Sequence, residues 1–449
     1  MDLPEKYRDS NILIWGYGRE GKSTEAFFKK HPIAASVDVS EAKPEEIDWS
    51  AYDYVFKSPG IRLAEPVWER LSAGPSQADK SVLDKLTSQT ELFIESFRDR
   101  VIGITGTKGK STTTSLLHHV LDKKPRTAYL VGNIGVPCLD FYDEMAASDS
   151  IAVFELSCHQ LAYSRVSPHI SIFLNLYEDH LDFYGDRATY FQAKRHITEF
   201  QDENDYLFMG NDVPELSTRA KVLRVAKPYA DEAMNLLGEH NRYNAAFVAE
   251  VAKICFGMED SEVRKAVEEF PGLPHRLQYI GTVDGVRYYD DSISTIPEAT
   301  IQAVNSVPGV ATVLVGGMDR EIDYSPLISF IPDNQKVNFI CMYVSGKRVY
   351  DEVMDSFAGG NHLSIDNDDS SGIESGKDST DVLKNKAEGI NNMYLVSDLA
   401  EAVSLAKQIT PSGSACVLSP AAASYGYFKN FEERGDRFRE LVNTQVSSC

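Results

Sequence analysis

The sequence predicts an α/β protein of several domains, and two observations carry this prediction. Short apolar runs typical of buried parallel strands alternate with helical patterns almost from end to end. Glycine-rich turns follow two of these runs, which indicates strand–turn–helix units. Because 449 residues are too many for one hydrophobic core, we expect three α/β domains, over residues 1–97, 98–272 and 273–449.

The first expected domain contains the glycine pattern Gly16-x-Gly18-x-x-Gly21 between an apolar run and a helical pattern. Together with Asp38, which follows later, this pattern is typical of a dinucleotide site. Many α/β domains use the same turn only to bring a helix close to a strand. We favour a nucleotide or phosphate ligand, and a nicotinamide-dependent dehydrogenase is an alternative.

The second expected domain opens with the most informative segment, Gly106-Thr107-Lys108-Gly109-Lys110-Ser111-Thr112, directly after an apolar run. In such a loop the backbone N–H groups approach phosphates, the lysine reaches the β- and γ-phosphates, and a hydroxyl binds Mg²⁺. The loop is shorter than a full Walker A sequence, because Ile104 stands where that pattern has its first glycine. The segment predicts binding of a nucleoside triphosphate.

Other polar residues of this domain end apolar runs or lie in helical patterns. Glu155 ends an apolar run, where a carboxylate suits Mg²⁺. The segment Glu178-Asp179-His180-Leu181-Asp182 predicts either a metal or anion site or a solvated loop. Asn241 and Asn244 reach a base or phosphate, or Asn241 only caps its helix. Lys194, taken by itself, is a helical lysine of the kind usually exposed to solvent.

Composition excludes several classes of function. The formal net charge of −22 argues against nucleic acid as the main partner, because no basic field is available to neutralise phosphates. No apolar stretch reaches membrane-spanning length, and the first residues lack a signal-peptide core, so we expect a cytoplasmic protein. The six cysteines form no C-x-x-C pair, which favours free thiols. The Ser-, Asp-, Asn- and Gly-rich stretch 361–392 predicts a mobile surface insertion, with a functional lid as the alternative.

These motifs, in this order, resemble those of the Mur ligases, the ATP-dependent amide-forming enzymes of peptidoglycan precursor synthesis. The last of them are most similar to the member that adds D-glutamate. Besides the phosphate loop, the resemblance rests on Gly132-Asn133-Ile134-Gly135, Phe154-Glu155-Leu156-Ser157, Glu178-Asp179-His180, Gly238-Glu239-His240-Asn241-Arg242-Tyr243-Asn244, Pro274-His275-Arg276, Asp290-Asp291-Ser292, Leu418-Ser419-Pro420-Ala421-Ala422-Ala423-Ser424 and Phe428-Lys429-Asn430-Phe431-Glu432-Glu433-Arg434-Gly435.

The resemblance implies a Rossmann-like UDP-binding domain, a central P-loop-type ATPase domain with a mainly parallel sheet, and a Rossmann-like amino-acid domain. It implies two Mg²⁺ ions held by Ser111, Glu155, His180 and a carbamylated Lys194, with Lys110, His180 and Lys194 as catalytic residues. For ATP it implies Gly106, Thr107, Lys108, Gly109, Lys110, Ser111, Thr112, Asn241, Asn244, His275, Arg276 and Asp291. For the other substrates it implies Gly18, Arg19, Glu20, Asp38, Ser58, Pro59, Gly60, Asn133, Thr295, Arg320, Ser424 and Phe431.

The implied partners are ATP, UDP-N-acetylmuramoyl-L-alanine and D-glutamate, bound by a monomer. Two departures from the family pattern stand out. Ile293-Ser294-Thr295-Ile296 replaces the usual Lys-Ala-Thr-Asn, and Arg320 stands where the family often has lysine. A folylpolyglutamate synthase-like ligase and a nucleotide-binding regulator without chemistry are the alternatives.

Overall fold

The computed structural model describes residues 4–62, 83–122, 127–177, 179, 181–230, 234, 236, 238–358 and 392–444. It confirms the α/β class, because helices alternate with the strands of three mainly parallel sheets. The 361–392 stretch, apart from Asn392, lies outside the described residues.

The strands are β1 Asn11–Trp15, β2 Ser36–Ser40, β3 Tyr54–Lys57, β4 Leu86–Thr87, β5 Val101–Thr105, β6 Ala128–Gly132, β7 Ile151–Glu155, β8 Ile170–Phe173, β9 Tyr206–Gly210, β10 Lys221–Val225, β11 Gln278–Val283, β12 Val286–Asp290, β13 Val310–Val315, β14 Asn338–Met342, β15 Met393–Val396 and β16 Ala415–Leu418.

The α-helices are α1 Arg19–Lys30, α2 Gln89–Phe97, α3 Lys110–Leu121, α4 Tyr142–Ala147, α5 Cys158–Leu161, α6 Leu181–Tyr184, α7 Arg187–Arg195, α8 Glu239–Phe256, α9 Asp260–Glu269, α10 Pro297–Ser306, α11 Ser325–Asp333, α12 Tyr343–Ala358, α13 Leu399–Ile409 and α14 Phe431–Asn443. Single turns of 3-10 helix occupy Glu5–Tyr7, Pro44–Glu46, Trp49–Ala51, Arg98–Arg100 and Cys138–Phe141.

The first sheet has the strand order β2-β1-β3-β4, and all its strands are parallel. The apolar run of β1 is buried, as expected for a strand covered on both faces. The turn after β1 has a positive φ of 94° at Gly16, and a Cβ at Gly21 would overlap the Gly16 carbonyl oxygen. The third glycine of the predicted pattern therefore lets α1 approach the end of β1.

The second sheet has the order β10-β9-β8-β5-β7-β6, again all parallel. Strand β5 lies between β7 and β8, so the residues after these three strands share one edge. The phosphate loop, Glu155 and Asn175 therefore lie at the carboxyl edge of one sheet, where open α/β sheets bind ligands.

The third sheet has the order β11-β12-β16-β13-β14-β15. Only the β11–β12 pair is antiparallel, while the other neighbours are parallel. The carboxyl ends of β12, β16 and β13 are neighbours and lead into the Asp290-Asp291-Ser292 segment, the small-residue run after Leu418 and the Gly316-Gly317 turn.

The chain forms two compact units. The first contains Met1–Met234 and Glu239–Phe270, and the second contains Asn235–Gly238 and Pro271–Cys449. The domain limits at 97/98 and 272/273 stay predictions. The five cysteines of the described part have free thiols. No helix in that part is long and apolar enough to cross a membrane.

Candidate active site

The phosphate loop joins β5 to the first turn of α3, and its glycines are required by sterics. Gly109 has a φ of 84°, and a Cβ there would lie 2.5 Å from Asn244 Oδ1. A Cβ at Gly106 would lie 2.9 Å from the Cβ of Leu174. The backbone can therefore turn tightly and present the N–H groups at the start of α3 toward an anion.

Lys110 bends back over this loop. Its Nζ donates to Gly106 O and Thr107 O, each at 3.0 Å. Burial lowers the pKa of Lys110, although Glu155 nearby favours the charged form. The ammonium group is thus held at the mouth of the loop, where phosphate oxygens would sit.

The sequence motifs do not identify Asn175 as a site residue, but the structure shows that its side chain holds the phosphate loop. Its Oδ1 accepts from Thr107 N at 3.1 Å and from Lys108 N at 2.9 Å, and its Nδ2 donates to Lys108 O at 3.0 Å. The available signal in the sequence was that Asn175 closely follows the apolar run of β8, the strand beside β5. Three bonds from one amide fix the loop before any ligand binds.

Glu155 lies at the end of β7 and is 1% exposed. Its Oε1 accepts from Asn133 Nδ2 at 2.8 Å. Its Oε2 has no hydrogen-bond partner among the described residues. A buried carboxylate oxygen in that position is costly unless a cation satisfies it, and Mg²⁺ prefers oxygen ligands. The donor chemistry therefore fits the predicted magnesium ligand.

Lys194 is not the solvent-exposed lysine that its helical position suggests. It is 1% exposed, and its Nζ donates to Gly106 O at 2.9 Å. Burial lowers the pKa of Lys194 to about 7, and the positive charge of Lys110 acts in the same direction. Burial therefore favours the neutral form of this amine.

One of the predicted metal ligands, His180, lies outside the described residues, as does Glu178 of the same segment. Within the described ranges, no group of three or more His, Cys, Asp or Glu side chains is placed to hold a metal ion. Ser111 is the second residue of α3, beside Lys110, and its role as a ligand stays a prediction.

The helix α8 brings the predicted asparagines to the loop. Asn244 is 5% exposed, faces Gly109, and donates from Nδ2 to Asn241 Oδ1 at 3.0 Å. Asn241 is the third residue of α8 rather than its cap, and its side chain orients an amide that touches the phosphate loop.

The predicted residues of the first sheet cluster around the turn after β1. Arg19 donates to Gly135 O at 2.7 Å, and Gln160 donates to Glu20 Oε1 at 2.8 Å. Burial raises the pKa of Glu20. Ser58 Oγ donates to Gly16 O at 2.9 Å, which places the Ser58-Pro59-Gly60 turn beside the glycine turn. Asp38, by contrast, is exposed and lies two residues before the end of β2.

In the second unit, Asp290 at the end of β12 and Asp291 directly after it are buried, and both carboxylates accept hydrogen bonds. Asp290 Oδ2 and His275 Nδ1 are 2.7 Å apart, and this hydrogen bond raises the pKa of His275. Asp291 accepts hydroxyl bonds from Ser294 at 2.6 Å and Ser419 at 2.8 Å. Burial raises the pKa of Asp291 to about 6. Arg276, which is also predicted to bind ATP, is exposed.

The four residues predicted for the amino-acid pocket follow the carboxyl ends of β12, β13 and β16. Thr295 is half-buried, Arg320 is exposed and Ser424 is buried. Phe431 begins α14, and its ring packs edge-on against the His275 ring with a centroid distance of 6.0 Å. The contacts of these side chains with a ligand stay predictions.

A phosphate loop with a buried lysine cluster and a strand-end carboxylate defines a nucleotide-dependent α/β enzyme. Residues 104–230 match the family model of the Mur ligase middle domain. The UDP-N-acetylmuramoylalanine–D-glutamate ligase of Aquifex aeolicus is 30% identical over 454 residues, covering 96% of this chain and 98% of that protein. The chain therefore belongs to the Mur ligase family, as its motifs predicted, and it is a ligase.

Further comparisons agree. The UDP-N-acetylmuramoylalanine–D-glutamate ligase of Leuconostoc citreum is 28% identical, with 97% of each chain covered. The crystal structure of the MurF ligase of Thermotoga maritima in complex with ADP has a TM-score of 0.54 and 16% identity, covering 98% of this chain and 96% of that one. This second likeness concerns the fold.

Replacing Asn175 tests whether its three side-chain hydrogen bonds hold the phosphate loop in place. The Asn175→Ala change removes three hydrogen bonds of about 1 kcal/mol each, so we expect ATP to bind on the order of tenfold to a hundredfold more weakly. Isothermal titration with a non-hydrolysable ATP analogue and Mg²⁺ measures this. Asn211→Ala is the matched control, because Asn211 follows the neighbouring strand β9 and is exposed. Equal affinities of the Asn175→Ala and Asn211→Ala variants for the ATP analogue would contradict this role of Asn175.

Replacing Asp290 tests the buried His275–Asp290 pair. The bond raises the pKa of His275, so its stabilisation is complete below the ordinary histidine pKa and is lost as pH rises through the folded value. We expect Asp290→Asn to lower the pKa of His275 and to remove this pH-dependent part of the stability. Imidazole resonances followed by NMR from pH 5 to about 9 report the shift. His118, in the first unit, is the internal control, and an unchanged His275 titration would refute the prediction.

Proposed function

We propose that the chain uses ATP to join the amino group of D-glutamate to the carboxylate of UDP-N-acetylmuramoyl-L-alanine, in peptidoglycan precursor synthesis. The observation that carries the proposal is the convergence of Lys110, Lys194 and Glu155 on the phosphate loop of a chain matched almost end to end by D-glutamate ligases. The names of those relatives supply the two substrates.

The reaction has two steps because a carboxylate is a poor electrophile. An oxygen of the alanyl carboxylate attacks the γ-phosphorus of ATP, which gives an acyl phosphate and ADP. The amine of D-glutamate then attacks the acyl carbon, phosphate leaves, and the nitrogen gives up a proton. Lys110 offsets the charge that accumulates on the γ-phosphoryl group, and Asn175 keeps the loop in position.

The magnesium ligands in this proposal are Ser111, Glu155, His180 and carbamylated Lys194. Bound Mg²⁺ would neutralise phosphate charge and orient the phosphoryl group. The carbamate forms when the neutral Lys194 nitrogen bonds to the carbon of CO₂ and releases a proton. The buried, unpartnered oxygen of Glu155 and the lowered pKa of Lys194 support this set.

The other assignments follow the same resemblance. The turns around Gly18 and Ser58-Pro59-Gly60 would bind the uridine nucleotide. Asn133 would contact the muramoyl part of the same substrate. Thr295, Arg320, Ser424 and Phe431 would bind D-glutamate. A monomer acting in the cytoplasm fits these small, charged substrates and the free thiols.

The decisive assay combines ATP, Mg²⁺, UDP-N-acetylmuramoyl-L-alanine and D-glutamate, and measures ADP release together with the mass of the nucleotide product. We expect a product longer by one glutamyl residue. A folate with L-glutamate is the competing substrate pair.

Lys110→Ala should lower the rate on the order of a hundredfold or more, because a charge opposite the transferring phosphoryl group is lost. Lys221→Ala, at the exposed edge strand β10, is the control.

Lys194 gives a separate prediction that depends on CO₂. Carbamylation requires the neutral amine, so activity in CO₂-depleted buffer should be low and should recover on addition of bicarbonate. The recovery should be larger above pH 7 than below it, because the pKa of Lys194 is about 7. A Lys194→Ala variant should show no response. Full activity of the wild-type protein without CO₂ would refute the carbamate.

A further inference from the structure

Arg434, in the first turn of α14, is completely buried and has no role in the site so far. Its Nε donates to Ser292 Oγ at 3.0 Å, and its Nη2 donates to Ser292 O at 2.8 Å and to Ala422 O at 2.9 Å. Its Nη1 lies against Gly317, where a Cβ would be 2.9 Å away. One guanidinium group therefore contacts loops that follow β12, β16 and β13.

The residues proposed for the amino-acid pocket stand on the same loops, each within three positions of these contacts. The pairs are Thr295 with Ser292, Arg320 with Gly317, Ser424 with Ala422, and Phe431 with Arg434 itself. In addition, Ser292 Oγ donates to Phe431 O at 2.7 Å. The hydroxyl that accepts from the guanidinium thus also fixes the start of α14.

The surroundings of Arg434 are unusual for a buried cation. Its bonded acceptors are neutral carbonyl and hydroxyl oxygens, and its Nη1 has no hydrogen-bond partner among the described residues. The neighbouring carboxylate of Asp290 bonds His275 and Ser292 N. Burial lowers the pKa of Arg434 to about 10, so it stays protonated at neutral pH. A buried charge of this kind costs folding free energy, which indicates a purpose other than stability.

We propose that Arg434 is a positioning residue whose planar fork holds three strand-end loops in the arrangement that receives D-glutamate. The inference rests on the proposed function and adds to it. Several donors in one rigid plane set the distances between loops, which a lysine with its single ammonium group does not do. The retained positive charge also suits a pocket for a dicarboxylate.

The test uses the full chain with Arg434→Lys and Ser292→Ala, and measures KM for each of the three substrates. Both variants loosen the loops, so we expect KM for D-glutamate to rise about tenfold or more while KM for ATP changes less than about twofold. Discrimination against D-aspartate should also fall. Arg437→Lys is the control, because Arg437 lies on the same helix, is exposed and pairs with Glu440.

The outcomes separate this inference from the proposed function. A wild-type protein that makes no ADP with D-glutamate refutes the proposed function. An active wild-type protein whose variants lose only thermal stability, or raise all three KM values equally, refutes the role of Arg434. If Arg434→Lys does not fold, Ser292→Ala decides, since it removes one hydroxyl and leaves the guanidinium in place.

Discussion

The carbonyl oxygen of Gly106 accepts hydrogen bonds from the amino groups of two lysines, and the geometry of the central site depends on this arrangement. Lys110 reaches it from the start of α3 and Lys194 reaches it from α7. Burial lowers the pKa of both groups and the charge of Lys110 lowers that of Lys194 further, so an anionic ligand would favour the charged forms of both lysines. Burial beside the phosphate loop is therefore the constraint that sets the charge state of both lysines.

Glu155 is the complementary element. Its carboxylate lies one strand away from the loop, buried, with one oxygen held by Asn133 and the other unpartnered among the described residues. Without a cation this geometry would be expensive. The unpartnered oxygen of Glu155 and the ammonium group of Lys110 thus lie at the same edge of the sheet, where a cation would satisfy the first and an anion the second.

The sequence predicted the features that depend on local pattern. An apolar run followed by glycines and Lys110 located the phosphate loop, and Glu155 was found because strands end where apolar runs end. The sequence did not predict the burial of Lys194, because burial is a tertiary property. The helical pattern alone suggests a solvated lysine, whereas in the fold Lys194 on α7 is buried against the phosphate loop. Asn175 was passed over because its partners are 67 and 68 residues away in the chain.

The same contrast explains Arg434, which stood inside a recognised motif without an assigned purpose. A guanidinium bonded only to neutral oxygens is a poor way to stabilise a fold, because an apolar side chain of similar volume would avoid the desolvation cost. Buried polar groups that lack a hydrogen-bond partner within the described ranges stand at the carboxyl ends of strands in each compact unit, Glu155 Oε2 beside the phosphate loop in one and Arg434 Nη1 beside Gly317 in the other. The desolvation cost of these two groups is offset by the burial of the apolar strands that precede them.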